Sequence, residues 1–344
     1  MQTKKKNMNK QFEYIRAFAI VAVITIHTFY SALLQFGNTA TIVENIFYRI
    51  VMNLMWWAVP CFLMMTGSLL LNPNREISIK KLYKKYISRM LVVLFTFGFI
   101  FSWVECFFNS RTITIMQIPH ALLNVFTGDT WAHMWYIYCL IGLYVLLPIY
   151  KIIANYASDV QVRYILFVLF LFEAVFKLTK IVGIDLGFYC HINTIYPFWL
   201  LMGVAWNRGM LRKNIKFNII LLIVSSSILI IATVVWTQLE IPLNVLFGYD
   251  SVIVIAQVFS IFSLLNMIST DIKFNKILLE IGDKSFGIYI VHMVFINMVY
   301  KFLKFNPFTK KFVLTGIMLV FINLVFSYVV TKIMKHLPVL KKII

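Results

Sequence analysis

Long apolar segments recur along the whole chain, and they limit its fold more than any other feature of the sequence. Each is long enough to cross about 30 Å of hydrocarbon. A soluble fold of 344 residues cannot bury this much apolar surface, because 61% of the residues are hydrophobic and only 13% are charged. The sequence therefore predicts an all-α integral membrane protein, a bundle of about ten transmembrane helices. The ten segments are residues 12–34, 46–71, 90–108, 133–150, 164–182, 194–209, 217–236, 250–268, 285–303 and 312–334.

The basic residues indicate which side of the membrane each loop occupies. With the N-terminus in the cytosol, 24 of the 32 lysine and arginine residues fall on the inner side and 8 on the outer side. Short cytoplasmic loops are enriched in lysine and arginine, so both termini are predicted to be cytosolic. The net charge of +19 is spread over these loop clusters. That pattern favours the lipid bilayer as the partner and argues against nucleic acid.

We expect one transmembrane domain with basic ends. Residues 1–11 form a basic cytosolic tip, residues 12–334 form the transmembrane domain, and residues 335–344 form a basic cytosolic tail. The four cysteines lack the spacing of a zinc site or of a disulfide framework, so we expect no metal and interpret them as packing residues. They are Cys61, Cys106, Cys139 and Cys190.

Two polar residues share one face of the first apolar segment. Arg16 and His27 are eleven residues apart, which in an α-helix gives a rise of about 16 Å and leaves the side chains about 20° apart. We expect both to face a common groove, Arg16 at the cytosolic mouth and His27 near the middle of the bilayer. Charged and titratable groups in hydrocarbon are costly and mark functional sites. The alternatives are that Arg16 binds lipid phosphates and that His27 bonds a neighbouring helix.

The chemistry of the pair favours an anionic substrate that enters from the cytosol. A buried histidine tends to be neutral, so His27 suits a general base or a nucleophile. Arg16 remains charged and matches phosphate oxygens with two hydrogen bonds. The soluble-enzyme motifs GxSxG, HExxH, GxxxxGK[ST] and GxGxxG are all missing from the sequence. We therefore expect intramembrane polar residues to carry any chemistry.

Two further histidines lie in apolar segments. His292 is predicted at a depth between Arg16 and His27, where a catalytic role and a hydrogen bond between helices are equally well supported. His133 lies at the outer end of the fourth segment beside Trp135, where His133 and Asp129 would line an acceptor site facing outward. An aromatic belt at the membrane surface accounts for Trp135 equally well.

Two glutamates also interrupt apolar segments. Glu173 has Lys177 four residues later, and this spacing favours a structural ion pair. Glu105 has no cation nearby in the sequence, so it is the more interesting of the two for function.

The second inner loop, residues 72–89, carries a basic stripe. Lys81, Lys85 and Arg89 recur every four residues and would share one face of a helix. Contact with anionic lipid and binding of a phosphate-bearing donor both fit this stripe.

Four segments together resemble the acyltransferase-3 family of integral membrane O-acyltransferases. They are the R-x10-H pair of Arg16 and His27, VPCFLMMTGSLLL at 59–71, HMWYIYCLIGLYVLLPIY at 133–150 and SFGIYIVHM at 285–293. The resemblance covers nearly the whole chain. The form that the chain resembles is the stand-alone one, without the extracytoplasmic esterase-like domain that some members carry.

The resemblance implies transfer of an acyl group, usually acetyl, from cytosolic acyl-CoA to a hydroxyl of a cell-surface sugar, glycan or glycolipid. Members use the first-span histidine for catalysis and the arginine for donor binding or catalysis, which here are His27 and Arg16. Many also have an arginine-rich inner loop, to which Lys85 and Arg89 correspond, with lysines replacing some arginines. Acyl-CoA would be a co-substrate, and no cofactor would be permanently bound.

The same resemblance implies a place in the cell. We expect a multi-pass protein of a bacterial plasma membrane, acting in modification of the cell envelope. It would complete the transfer itself or depend on a separate extracytoplasmic partner.

Two functions of other classes are compatible with the same residues. One is a proton-coupled secondary transporter, in which Arg16, His27 and His292 bind a small anion and relay protons. The other is a non-catalytic membrane subunit or sensor.

Overall fold

The protein is helical throughout the part described by the computed structural model. Helix accounts for 82% of the described residues, and no strand occurs among them. The side chains are described from Lys10 onward, and Cys190 lies outside the described residues. The described residues are 2–110, 112, 114–187, 194–211, 214–239, 243–268 and 275–344.

Thirteen helices of ten or more residues follow one another along this part of the chain. The fourth helix contains two π-helical segments, Leu82–Ile87 and Leu94–Gly98, and the twelfth continues into another, Met298–Phe302. The helices are α1 (Gln2–Phe36), α2 (Ile42–Asn53), α3 (Ala58–Leu70), α4 (Ile79–Ser110), α5 (Gln117–Thr127), α6 (Trp135–Val145), α7 (Leu147–Tyr156), α8 (Asp159–Phe170), α9 (Tyr196–Asn207), α10 (Ile215–Leu239), α11 (Val252–Asn266), α12 (Asn275–Asn297) and α13 (Phe312–His336).

Six helical segments of the described chain are long and apolar enough to cross a membrane. A seventh is α6 with α7, which are bent by 56° relative to each other. Pro148 lies in the first turn of α7, and its missing N–H interrupts the helical hydrogen bonds there. The six are Lys10–Thr39, Ile42–Leu70, Ile79–Ser110, Ile215–Leu239, Asn275–Phe302 and Phe312–His336.

The all-α multi-pass membrane fold is thus confirmed, with six or seven candidate spans. The count of ten spans and the cytosolic termini stay predictions. The predicted segments 194–209 and 250–268 do form helices, but α9 and α11 have 12 and 15 residues. A span usually needs about 20 residues.

Helix α1 lies at the centre of the bundle and packs most extensively on α12. These two helices approach closely at Gly282, where an added Cβ would lie 2.2 Å from the carbonyl oxygen of Glu13. They meet again at His27 and His292, so they run side by side in the same direction. Gly282 therefore brings the two histidine-bearing helices within hydrogen-bonding distance of each other.

The pair α3 and α9 packs closely as well. A Cβ on Gly67 would lie 1.9 Å from the carbonyl oxygen of Leu200, and one on Gly203 would lie 2.2 Å from that of Met64. Gly67 and Gly203 therefore serve small-residue helix packing.

The structural interpretation of Glu173 is also confirmed. Its carboxylate lies 3.5 Å from Lys177 Nζ, which also contacts Asp250 Oδ2 at 2.5 Å. This network joins the end of α8 to the loop before α11, away from the two histidines.

The predicted orientation has a direct test. We expect a cysteine introduced as Lys310→Cys to react with a membrane-impermeant maleimide in intact cells, because Lys310 is exposed in a loop predicted to be outside. The exposed Lys342→Cys should react only after permeabilisation. Both are measured in a variant whose native cysteines are replaced. Labelling of Lys342→Cys in intact cells would overturn the predicted orientation.

Candidate active site

Two cavities open beside α1, one along each half of the helix. Cavity A, of about 300 Å³, is lined by Arg16 and Val23 of α1. Cavity B, of about 570 Å³, is lined by His27 and the residues after it. Arg16 and His27 therefore line different cavities. His292 of α12 packs on His27, and Tyr289 of the same helix lines cavity A together with Arg16.

His27 is held by a hydrogen bond within its own helix. Its Nδ1 lies 3.0 Å from the carbonyl oxygen of Val23, one turn earlier. A carbonyl oxygen only accepts, so we assign the ring proton to Nδ1. The assignment leaves a lone pair on Nε2 of His27, the nitrogen available to a substrate in cavity B.

His292 contacts His27 directly from α12. Its Nε2 lies 3.1 Å from His27 Nδ1, and its own Nδ1 lies 2.6 Å from the carbonyl oxygen of Tyr289. The ring of His292 is fully buried. A hydrogen bond between helices was one of the two interpretations of His292, and this bond is present in the structure. The residue to which His292 is bonded is His27, the candidate catalytic residue.

His133 joins the same cluster from the turn before α6. Its ring is fully buried and packs edge-on against His292, with the ring centroids 5.2 Å apart. Its Nε2 donates to the carbonyl oxygen of Ile290 at 3.3 Å. The expectation that His133 lines an outward-facing site is wrong, because Trp131 packs beside it and lines cavity B in its place.

Aromatic rings form one wall of cavity B. Trp135 contacts Tyr196 and Tyr249, with ring centroids 5.5 Å and 5.6 Å away, and Trp56 contacts Tyr249 at 5.0 Å. All four rings line the cavity. The four residues come from four separate segments of the chain, so no single helix could supply this aromatic platform.

Glu105 lies in another wall of cavity B with a cation from a distant helix. Its carboxylate accepts hydrogen bonds from Lys301 Nζ at 2.7 Å and 2.9 Å, and one from Trp131 Nε1 at 2.9 Å. The cation that the local sequence lacked is therefore supplied by tertiary contact, from 196 residues away. Both charged side chains remain partly exposed, at 30% and 31%.

Cavity A contains two guanidinium groups. Arg16 pairs with Glu13 at 2.5 Å, and Arg89 donates from Nε to the carbonyl oxygen of Ile343 at 3.0 Å. The guanidinium of Arg89 also lies 5.0 Å from the ring centroid of Phe286, a cation–π distance. Planar guanidinium groups at a partly apolar cavity suit binding of phosphate oxygens.

The basic stripe of the second inner loop is only partly directed at this cavity. Arg89 lines cavity A, whereas Lys81 and Lys85 are exposed and absent from its lining. Their binding of a donor stays a prediction.

Some residues of the site were missed from the sequence. Glu13 precedes Arg16 by three residues, a spacing at which helical side chains meet, so local sequence could have identified it. Lys301 and Tyr249 gave no such signal, because they reach cavity B only through tertiary packing.

Comparison with known protein families gives one match. The model of the acyltransferase-3 family, described as an acyltransferase domain, matches residues 9–332. Comparisons with curated proteins and with solved structures give no match. The family match includes both cavities and all three histidines of the cluster.

Proposed function

This chain belongs to the acyltransferase-3 family, and we propose that it transfers an acyl group, most simply acetyl, from acyl-CoA to a hydroxyl of a cell-surface sugar or glycan. The observation that carries the proposal is the position of His27. His27 lines cavity B, and its Nδ1 already contacts the Val23 carbonyl and His292, which leaves Nε2 as the ring nitrogen for a substrate. An acyltransferase needs a base at the point where donor and acceptor meet.

Cavity A supports binding of the donor. CoA is a polyanion, and Arg16 and Arg89 offer two forked guanidinium groups there. Arg16 is held by Glu13, so a phosphate would exchange with that carboxylate. Thr66 and Ser285 add hydroxyl groups to the lining. The small volume suits the thioester end and part of the pantetheine arm, with the phosphates at the mouth.

Cavity B supports binding of a sugar acceptor. The face of a sugar ring is apolar and packs on an aromatic platform such as Trp135 with Tyr249, while its hydroxyls need hydrogen-bond acceptors. Glu105 and Asp129 supply carboxylate oxygens in the lining. A cavity with aromatic rings on one side and carboxylates on another therefore fits a glycan better than a fatty chain.

The chemistry follows from the lone pair of His27. Nε2 takes the proton of the acceptor hydroxyl as its oxygen attacks the thioester carbonyl. The new C–O bond forms, the C–S bond breaks, and the proton on Nε2 passes to the departing CoA thiolate. A route through a transient acyl group on His27 uses the same nitrogen as nucleophile.

The predicted orientation fits binding of the donor in cavity A and of the acceptor in cavity B. Residues lining cavity A, such as Thr66 and Gly282, lie at helix ends predicted to be cytosolic, and residues lining cavity B, such as Asp129 and Lys301, lie at ends predicted to be outside. Acyl-CoA would then enter from the cytosol of a bacterium, and the glycan would approach from the outer face of its plasma membrane.

The test is ester formation by the purified protein in lipid nanodiscs. We expect acetyl-CoA to yield free CoA thiol only when a surface glycan is supplied, and mass spectrometry to find the acetyl ester on the glycan. Succinyl-CoA in place of acetyl-CoA tests the acyl group. Anion flux into proteoliposomes without any ester would support the transporter and overturn the proposal.

A further inference from the structure

We infer that His292 is a positioning residue for His27: its Nε2 lone pair accepts the Nδ1 proton of His27 and keeps Nε2 of His27 free to take the acceptor's proton. This inference rests on the proposed function. His292 itself lines neither cavity A nor cavity B, so it acts through His27, which it contacts.

The two ring tautomers are coupled. The 2.6 Å contact between His292 Nδ1 and the Tyr289 carbonyl requires a proton on that nitrogen. A neutral imidazole carries one ring proton, so His292 Nε2 has a lone pair and faces His27 Nδ1 at 3.1 Å. The opposite tautomer of His292 would place its Nδ1 lone pair against the carbonyl oxygen. The backbone of Tyr289 therefore determines the proton positions of both rings.

The Val23 carbonyl alone does not serve this purpose. In an α-helix, that oxygen already accepts the backbone N–H of His27, four residues later. The Val23 oxygen is therefore shared between that backbone N–H and Nδ1 of His27. His292 Nε2 has no competing donor among the hydrogen bonds of the described residues.

The bond to His292 gains strength during the reaction. When His27 takes the acceptor's proton, its ring becomes positively charged, and the Nδ1–H···Nε2 bond becomes a charge-assisted one. An interaction that is stronger in the transition state than in the ground state lowers the barrier. Because no carboxylate is among the hydrogen-bond partners of His27 in the described chain, His292 occupies the place that an aspartate takes in many base–orienter pairs.

The surrounding packing keeps the His292 ring in place. The ring is fully buried, and His133 packs perpendicular to it. The Tyr289 hydroxyl donates to the carbonyl oxygen of His133, which joins α12 to the turn before α6. His292 is therefore held on both sides, as an orienting group requires.

Three substitutions test the inference by their effect on kcat. His292→Gln places an amide oxygen near the position of Nε2 and keeps an acceptor, whereas His292→Leu removes it. We expect His292→Leu to lower kcat about 10- to 100-fold, with KM for both substrates changed less than about twofold. We expect His292→Gln to restore most of the loss. A structural role predicts no such difference between Gln and Leu.

The third substitution covers a failure of His292→Leu to fold. His292→Asn is polar like Gln but too short to place its oxygen at Nε2, so we expect its kcat to fall as for Leu. Acyl-CoA binding reports the folded state of each variant. Equal kcat for His292→Gln and His292→Asn would overturn the inference. Failure of the proposed function gives a different result from failure of this inference, because the wild-type protein would then form no ester at all.

Discussion

Replacing His27 by alanine is expected to abolish most of the turnover while leaving acyl-CoA binding intact. A general base contributes about 10²- to 10⁴-fold in rate, and the base that we assign is the Nε2 lone pair of His27, which lines cavity B. Ester formation, measured by mass spectrometry of the acylated acceptor, should fall by at least that range. Cavity A does not include the imidazole of His27, so titration with acetyl-CoA should give a dissociation constant close to that of wild type.

A second histidine provides the matched control. His120 is exposed, contacts Asn124 at 3.3 Å, and lines neither cavity. We expect His120→Ala to form ester at the wild-type rate. Loss of the partly exposed imidazole of His27 leaves a small cavity that costs only a few kcal/mol, so the folded state should survive. Wild-type amounts of ester from a folded His27→Ala protein would contradict its catalytic role.

The same pair of variants distinguishes the two routes for the acyl group. Incubation with acyl-CoA and no acceptor should trap an acyl group on His27 if the histidine is the nucleophile. Intact mass would then increase by one acyl group in wild type and in His120→Ala, but not in His27→Ala. A direct transfer predicts no increase in any of the three.

Arg16→Lys is expected to weaken acyl-CoA binding by about 10- to 100-fold. Hydrogen bonds to charged groups contribute about 1.5–3 kcal/mol, and about 1.4 kcal/mol corresponds to a tenfold change in affinity. Lysine keeps the positive charge but loses the planar fork that pairs with two phosphate oxygens. Titration of acetyl-CoA against the detergent-solubilised protein measures the dissociation constant.

Lys85→Ala is the control for general electrostatic attraction. Lys85 is exposed and outside the lining of cavity A, with basic neighbours on the same loop. We expect its loss to change the dissociation constant much less than Arg16→Lys does. If Arg16→Lys binds the donor as wild type does, Arg16 instead serves as a lipid anchor or holds α1 through Glu13.

Much of the fold follows from local sequence. Apolar length and helical periodicity decide which segments enter a bilayer, and these properties belong to each segment on its own. That is why an all-α membrane protein could be predicted, and why Arg16 and His27 could be assigned to one helix. The bend between α6 and α7 had its local cause in Pro148, although the sequence at 133–150 reads as one continuous apolar segment.

The site followed from the sequence only where its residues are close along the chain. Arg16 and His27 belong to one helix, and the family resemblance that they helped to carry is confirmed over residues 9–332. By contrast, the contact of His27 with His292 of α12, and the place of Tyr289 beside Arg16 in cavity A, had no local signal. Helix periodicity gives the direction of a side chain but not the neighbour that fills the space in front of it.

The sequence therefore establishes which residues are polar within the membrane, and packing establishes what they contact. His27 and His292 are 265 residues apart, and Glu105 and Lys301 are 196 apart. In a bilayer, lipid and helix surfaces are similarly apolar, so hydropathy does not distinguish the face of a helix that meets lipid from the face that meets protein. The close approach of α1 and α12 at Gly282 brings the two histidines together, and that approach exists only once the helices are assembled.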